Sequence, residues 1–176
     1  MPAAVRRRAR RSHACPLIAV AALGALLACG TADAAARTVV LKLKSKPAQK
    51  VQDDMTGDGT MGAGDMVVYM PTPLYTRTGR RVGQRGVTTM ITSNPDAAGM
   101  SMAESQVNLF FGGGDAIYET LYAPGHFNAA GPPLKAGEVW RRAIIGGTGR
   151  YAGARGEDVV RTRGAWIYFT LTIDLP

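Results

Sequence analysis

Beyond residue 36 the chain has no cysteine and only one histidine, His126. Both cysteines, Cys15 and Cys29, fall in the first thirty residues. The body of the chain therefore has neither a disulfide nor a thiol nucleophile, and its stability must come from its core. One histidine cannot build a Cys/His metal cage. It stands in the proline-rich stretch 124–135, away from any serine partner, and no G-x-S-x-G nucleophile elbow occurs. Helical periodicity is nearly absent, which leaves no crossover helices for a doubly wound sheet. Also missing is a Lys/Arg block interleaved with aromatics. From Arg37 onward 16 basic residues face 12 acidic ones, a net +4, so no nucleic-acid partner is expected.

Two segments divide the chain. Arg6, Arg7, Arg8, Arg10 and Arg11 precede an apolar run from Leu17 to Ala28, followed by small-residue sites at Ala32-Asp33-Ala34 and Ala34-Ala35-Ala36. A basic start, an apolar run too short to span a bilayer and a small-x-small site mark a signal peptide over residues 1–36. Leu26-Leu27-Ala28-Cys29 resembles a lipobox, so the expected product is exported and is periplasmic, lipid-anchored or secreted. Any membrane attachment is expected only through this leader or a lipid on Cys29. Residues 37–176 are enough for one domain with a sizeable core.

Residues 37–176 read as strands broken by Gly, Pro, Asn and Asp. The runs are Thr38–Lys44, Met66–Tyr75, Val82–Thr92, Ser101–Phe110, Ala116–Tyr122, Glu138–Ile145, Glu157–Arg163 and Ala165–Leu175. Pro71 and Pro73 predict an edge, bulge or bend in the second run, because proline removes a ladder donor. Short connections predict antiparallel pairing. The fold class expected is all-β, an eight-stranded antiparallel barrel, with a sandwich as the alternative. In the last run Ile167, Phe169, Leu171, Ile173 and Leu175 share one face while Trp166, Tyr168, Thr170, Thr172 and Asp174 share the other.

Two loops imitate ligand motifs. Gly147-x-Gly149-x-x-x-Gly153 follows the strand-like Ala143-Ile144-Ile145, as in a dinucleotide turn. That chemistry needs a helix N-terminus at the pyrophosphate, and the β-favouring Val159-Val160 that follows predicts a tight β-turn with a bulge instead. Asp54, Thr56, Asp58, Gly59 and Asp65 are spaced like a calcium loop. Without flanking helices, and with Asp where the last position wants Glu, an acidic hairpin loop is expected and no metal is assigned.

Polar residues inside strand runs are the remaining candidates. Glu104 lies amid Met102, Ala103, Val107 and Leu109; Glu119 lies between Tyr118 and Tyr122; Arg141 and Arg142 follow Trp140. A carboxylate inside a barrel is desolvated and needs an arginine or tyrosine beside it, which suits acid/base work or orientation of a polar ligand tip. The catalytic candidates are Glu104, Glu119 and Arg141. Tyr69, Tyr118, Tyr122, Trp140 and Phe169 are the candidates for ligand contact. The deciding observation is which face of each strand points inward.

Several of these pieces together resemble the allene oxide cyclase and dirigent-type barrel superfamily. They are Gly64-Asp65-Met66-Val67-Val68-Tyr69, Leu74-Tyr75, Gly79-Arg80-Arg81-Val82-Gly83, the glycine run from Ala143 to Gly156, and the terminal strand. The resemblance covers the chain from about Gly64 to its end. It implies an eight-stranded antiparallel barrel, often a homo-oligomer, with an apolar interior pocket. Such barrels act without redox cofactors as cyclases, isomerases or stereochemical guides on a small, mostly apolar molecule, by restricting its conformers. A non-catalytic ligand-binding or envelope-interaction module is the alternative, and no cofactor is expected. The plant cyclases carry a glutamate on the first strand, whereas Thr38–Lys44 carries lysines and no acid.

Overall fold

The structure, a computed structural model, describes residues 36–127 and 137–176. Residues 1–35, with Cys15 and Cys29, and residues 128–136, most of the proline-rich loop, lie outside the described residues. Nine strands follow in order: β1 (Arg37–Ser45), β2 (Lys50–Asp53), β3 (Met66–Thr76), β4 (Arg81–Ile91), β5 (Ser101–Phe111), β6 (Ala116–Gly125), β7 (Val139–Thr148), β8 (Arg155–Arg163) and β9 (Trp166–Leu175).

From β3 to β9 each strand pairs antiparallel with the next, as short turns dictate. β1 lies against β9 over nine residue pairs, from Arg37↔Leu175 to Ser45↔Ile167. The end of β1 also pairs with the end of β3 at Leu43↔Thr76, Lys44↔Tyr75 and Ser45↔Leu74. That contact closes eight strands into a barrel, as expected from the pattern, and removes the free edges. The four-residue β2 pairs with the first part of β3 outside the ring. β3 can serve both partners because its register against β4 slips between Tyr69 and Thr72, at Pro71.

Alternation assigns the core. Ile167, Phe169, Leu171, Ile173 and Leu175 of β9 are buried. They pack with Leu109 and Phe111 of β5, Ile117 of β6, Ile144 of β7 and Val160 of β8. Each large apolar side chain buried this way contributes about 1.5–3 kcal/mol. The opposite face of β9 is amphipathic: Trp166 lies under the Lys44 and Lys46 ammonium groups, 4.8 and 4.4 Å from its ring centre.

The glycine run ends β7, makes one 3₁₀ turn at Gly149–Tyr151 and begins β8. It is a β-turn with a bulge, not a nucleotide loop. β7 slips by one residue against β6, where Glu119 faces Ile144 and Tyr118 faces Gly146. Glycine is required for close approach. A Cβ on Gly147 would meet the Ala116 carbonyl at 2.6 Å. Gly156 has φ +135° with the Thr172 carbonyl where a Cβ would sit.

The acidic loop is equally explicit. Asp54 accepts hydrogen bonds from the Gly57 and Gly59 N–H groups, and Asp58 accepts from the Thr60 N–H. Buried Asp65 accepts from the N–H groups of Thr56 and Gly62 at 3.1 and 2.7 Å. The calcium spacing is thus a set of carboxylates capping their own loop backbone, and among the described residues no cluster of three or more His, Cys, Asp or Glu is placed to hold a metal.

Candidate functional site

Neighbouring strands bring Tyr69 of β3, Val87 of β4, Val107 of β5 and Glu119 of β6 into one transverse row. Beside it, Arg142 of β7 faces Asp158 of β8. All six point inward by alternation and are buried. Arg85, two residues before Val87 on β4, points the same way and is 4% exposed.

Five ionisable groups therefore share the barrel interior: Tyr69, Arg85, Glu119, Arg142 and Asp158. The Arg142 guanidinium donates to the Glu119 carboxylate at 3.3 Å and lies 3.8 Å from Asp158. The guanidinium groups of Arg85 and Arg142 also lie over the Phe169 ring, at 5.3 and 5.9 Å. The cluster is incompletely paired. Glu119 Oε1, Arg85 Nε, Arg142 Nε and the Tyr69 hydroxyl are buried and have no hydrogen-bond partner. Native interiors leave few such groups, and each calls for a reason.

Burial sets the protonation states. It pushes Glu119 up to about 8, helped by the Asp158 charge and opposed by Arg142 and Arg85. Asp158 rises to about 6 for the same first reason, with Arg142 opposing. Arg85 is lowered to about 10 by burial and then by the Arg142 charge, so it remains cationic at neutral pH. Burial raises the Tyr69 hydroxyl, which stays protonated.

A stability prediction follows. Folded Glu119 keeps a proton that the unfolded chain releases above its ordinary value of 4.5. Its protonation supports the fold fully below that pH, and the support is lost as pH rises through about 8. The melting temperature should fall between pH 5.5 and 8.5. Glu119→Gln should flatten that slope and raise stability at pH 8.5 by on the order of 2–3 kcal/mol. A melting temperature that rises with pH over this range would contradict the assignment.

Next to the cluster a recess opens toward the end of the barrel where β1 finishes and β7 begins. Its lining comprises Pro47, Ala48, Tyr69, Arg85, Val87, Thr89, Ser105, Trp140, Arg142, Val160 and Ile167. The recess has a volume of about 40 Å³. The inside is thus mostly filled by its own side chains. The apolar interior pocket implied by the resemblance corresponds to a small recess that opens at this end of the barrel. The reason is volume: Phe169, Leu109, Ile117 and Leu171 are fully buried, and two arginines share the remaining bore.

The candidates from the sequence divide by face. Tyr69 and Trp140 line the recess, and Phe169 lies in the core beneath the guanidinium groups. Glu119 is inside but stands behind Arg142 and is not part of the recess wall. Glu104 is exposed on the outer face, opposite Met90 and Tyr122 of the adjacent strands. Tyr122 is 63% exposed, with its hydroxyl accepting from Thr92. Tyr118 is half-buried on the same outward side as Glu104 and Tyr122. Arg141 also points out, in an ion pair with Glu157 at 2.7 Å. The inward arginine is its neighbour Arg142. His126 is half-buried and does not line the recess.

Arg85 and Asp158 were missed. Arg85 was legible, since it shares its parity with the apolar Val87 and Ile91. Asp158 was hidden because Val159 and Val160 give β8 two equally apolar phases. Ile144 and Ile145 blur Arg141 and Arg142 in the same way.

No family model matches the chain, and no curated protein does. Solved structures do. A structure described as pyocyanin demethylase is 24% identical with a TM-score of 0.59, over 77% of this chain and 99% of that one. An exo-specific intermolecular Diels-Alderase is 17% identical with a TM-score of 0.58, over 80% and 98%. A pterocarpan synthase dirigent protein is 15% identical with a TM-score of 0.55, over 80% and 86%. The chain shares the barrel fold of these proteins, which the resemblance in its sequence had implied. At these identities the likeness speaks for the fold alone.

Proposed function

We propose that this barrel binds a small, mostly apolar molecule at its open end and acts on it without a cofactor, as a cyclase, isomerase or stereochemical guide. One observation carries the reading. The apolar recess walled by Val87, Trp140, Val160 and Ile167 reaches Arg85, Arg142 and Tyr69, all buried and hydrogen-bonding capable. An apolar wall with a few convergent polar groups is the usual make-up of a ligand site. Related barrels described as a demethylase, a Diels-Alderase and a dirigent protein support a small-molecule role.

Chemically, a wall that fixes the conformer of a reactive molecule supplies proximity and orientation. Two guanidinium groups and a phenol at the inner end would stabilise negative charge developing on a substrate oxygen, in a water-poor space where such stabilisation is strongest. Glu119 would act as a positioning residue, holding Arg142 in place. The non-catalytic alternative uses the same contacts with no turnover. The leader of residues 1–36 supports export. Exposed Met90 and Tyr122, flanking Glu104 on the outer face, support self-association.

Native mass spectrometry of the protein purified from its own host tests these points together. The expected spectrum shows a chain starting near Arg37, or at a lipidated Cys29, carrying a small-molecule adduct. Bare polypeptide that retains residues 1–36 and takes up none of the host's small-molecule extract would overturn both the export and the binding readings.

A further inference from the structure

We infer that the molecule taken by this recess carries an anionic oxygen (carboxylate, phenolate or enolate) at its inner end, held by Arg85, Arg142 and Tyr69. The inference rests on the proposed binding role and names the ligand's chemical class.

The recess is lopsided in its hydrogen bonding. Its polar lining is Tyr69, Arg85, Thr89, Ser105 and Arg142, and neither Glu119 nor Asp158 is part of it. Arg85 Nε, Arg142 Nε and the Tyr69 hydroxyl are buried with no partner. Arginine nitrogens only donate, and the raised Tyr69 keeps its proton to donate as well. The Thr89 and Ser105 hydroxyls share one hydrogen bond of 2.8 Å, leaving one of the two protons unused. A ligand tip entering here meets donors and no charged acceptor. Leaving a buried donor unmet costs about 1–3 kcal/mol, more for a charged group. An oxygen anion meets several at once, whereas an ammonium group would sit beside two guanidinium charges with only hydroxyl oxygens to accept from it.

Charge points the same way. The ionisable groups packed around the chamber are Tyr69 on β3, Arg85 on β4, Glu119 on β6, Arg142 on β7 and Asp158 on β8. Two arginines face two carboxyl groups, and burial biases Glu119 toward its neutral form. The remaining positive excess is what an anion balances. The lining agrees: the polar groups share the recess with Trp140, Ala48 and Pro47, an apolar wall against which the remainder of the molecule would rest.

The test uses a Trp166→Phe variant, which removes the outer-face tryptophan and leaves Trp140 as the only one beyond the leader. Its fluorescence is followed at pH 7 during titration with benzoate, benzamide and benzylamine, which share a ring and differ in the tip. Benzoate should bind at least tenfold more tightly than benzamide, with benzylamine weakest. Benzamide or benzylamine binding as tightly as benzoate overturns the inference and leaves the binding role standing. Silence of Trp140 toward all three overturns the inference together with the small-molecule reading of the recess.

Discussion

Replacing Arg142 with methionine should cost the barrel about 3–5 kcal/mol at pH 8, the usual penalty for stranding a buried charge. Arg142 is the only cation within 4 Å of Glu119 and Asp158 among the described residues, and both carboxyl groups are fully enclosed. Without it they must either remain charged against each other or take up protons. The loss should therefore shrink as pH is lowered to 5, where uptake is easy. Adding Glu119→Gln and Asp158→Asn should recover most of it, because replacing a whole buried ion cluster is often neutral or stabilising. Urea unfolding at several pH values reads both variants. A loss under about 1 kcal/mol, unchanged from pH 5 to pH 8, would mean the cluster is not ionised as described.

Gly156→Ala should be comparably damaging for a different reason. At φ +135° an alanine is strained, and its methyl group would coincide with the Thr172 carbonyl in the β8–β9 ladder. Backbone cannot yield as a flexible side chain can, so a loss of roughly 3 kcal/mol or more is expected. Gly79→Ala is the control: φ is +100° there and nothing lies within 4 Å of the added Cβ. It should cost about 1 kcal/mol, strain alone. Thermal unfolding that ranks the two variants equally would show that close approach at Gly156 is unimportant.

The barrel was legible because antiparallel pairing, turn chemistry and strict alternation agree along most of the chain. β9 displays its dry face without ambiguity, and the bend at Pro71 follows from a missing donor. β2 was not seen, since four residues with three of them exposed carry no period. The interior site was only half legible. Glu119 stands out in the sequence as a carboxylate in a strand, but the arginine beside it is Arg142 and not the candidate Arg141. One residue decides the face, and the bulge between β6 and β7 shifts the count at that point. Glu104 faces outward for a related reason. It stands in an apolar run, but its apolar neighbours Ala103, Val107 and Leu109 have the opposite parity and fill the core. The shallow chamber could not be read at all, since it depends on how far two arginines and Phe169 occupy the bore from different strands.

A crystallographic screen with small aromatic fragments, acidic and neutral, tests the account most directly. It should place fragments in the recess between Trp140 and Tyr69, with oxygen atoms within hydrogen-bonding distance of Arg85 or Arg142. Fragments found only on the outer surface, with the inner chamber closed over Arg85 and Arg142, would contradict it.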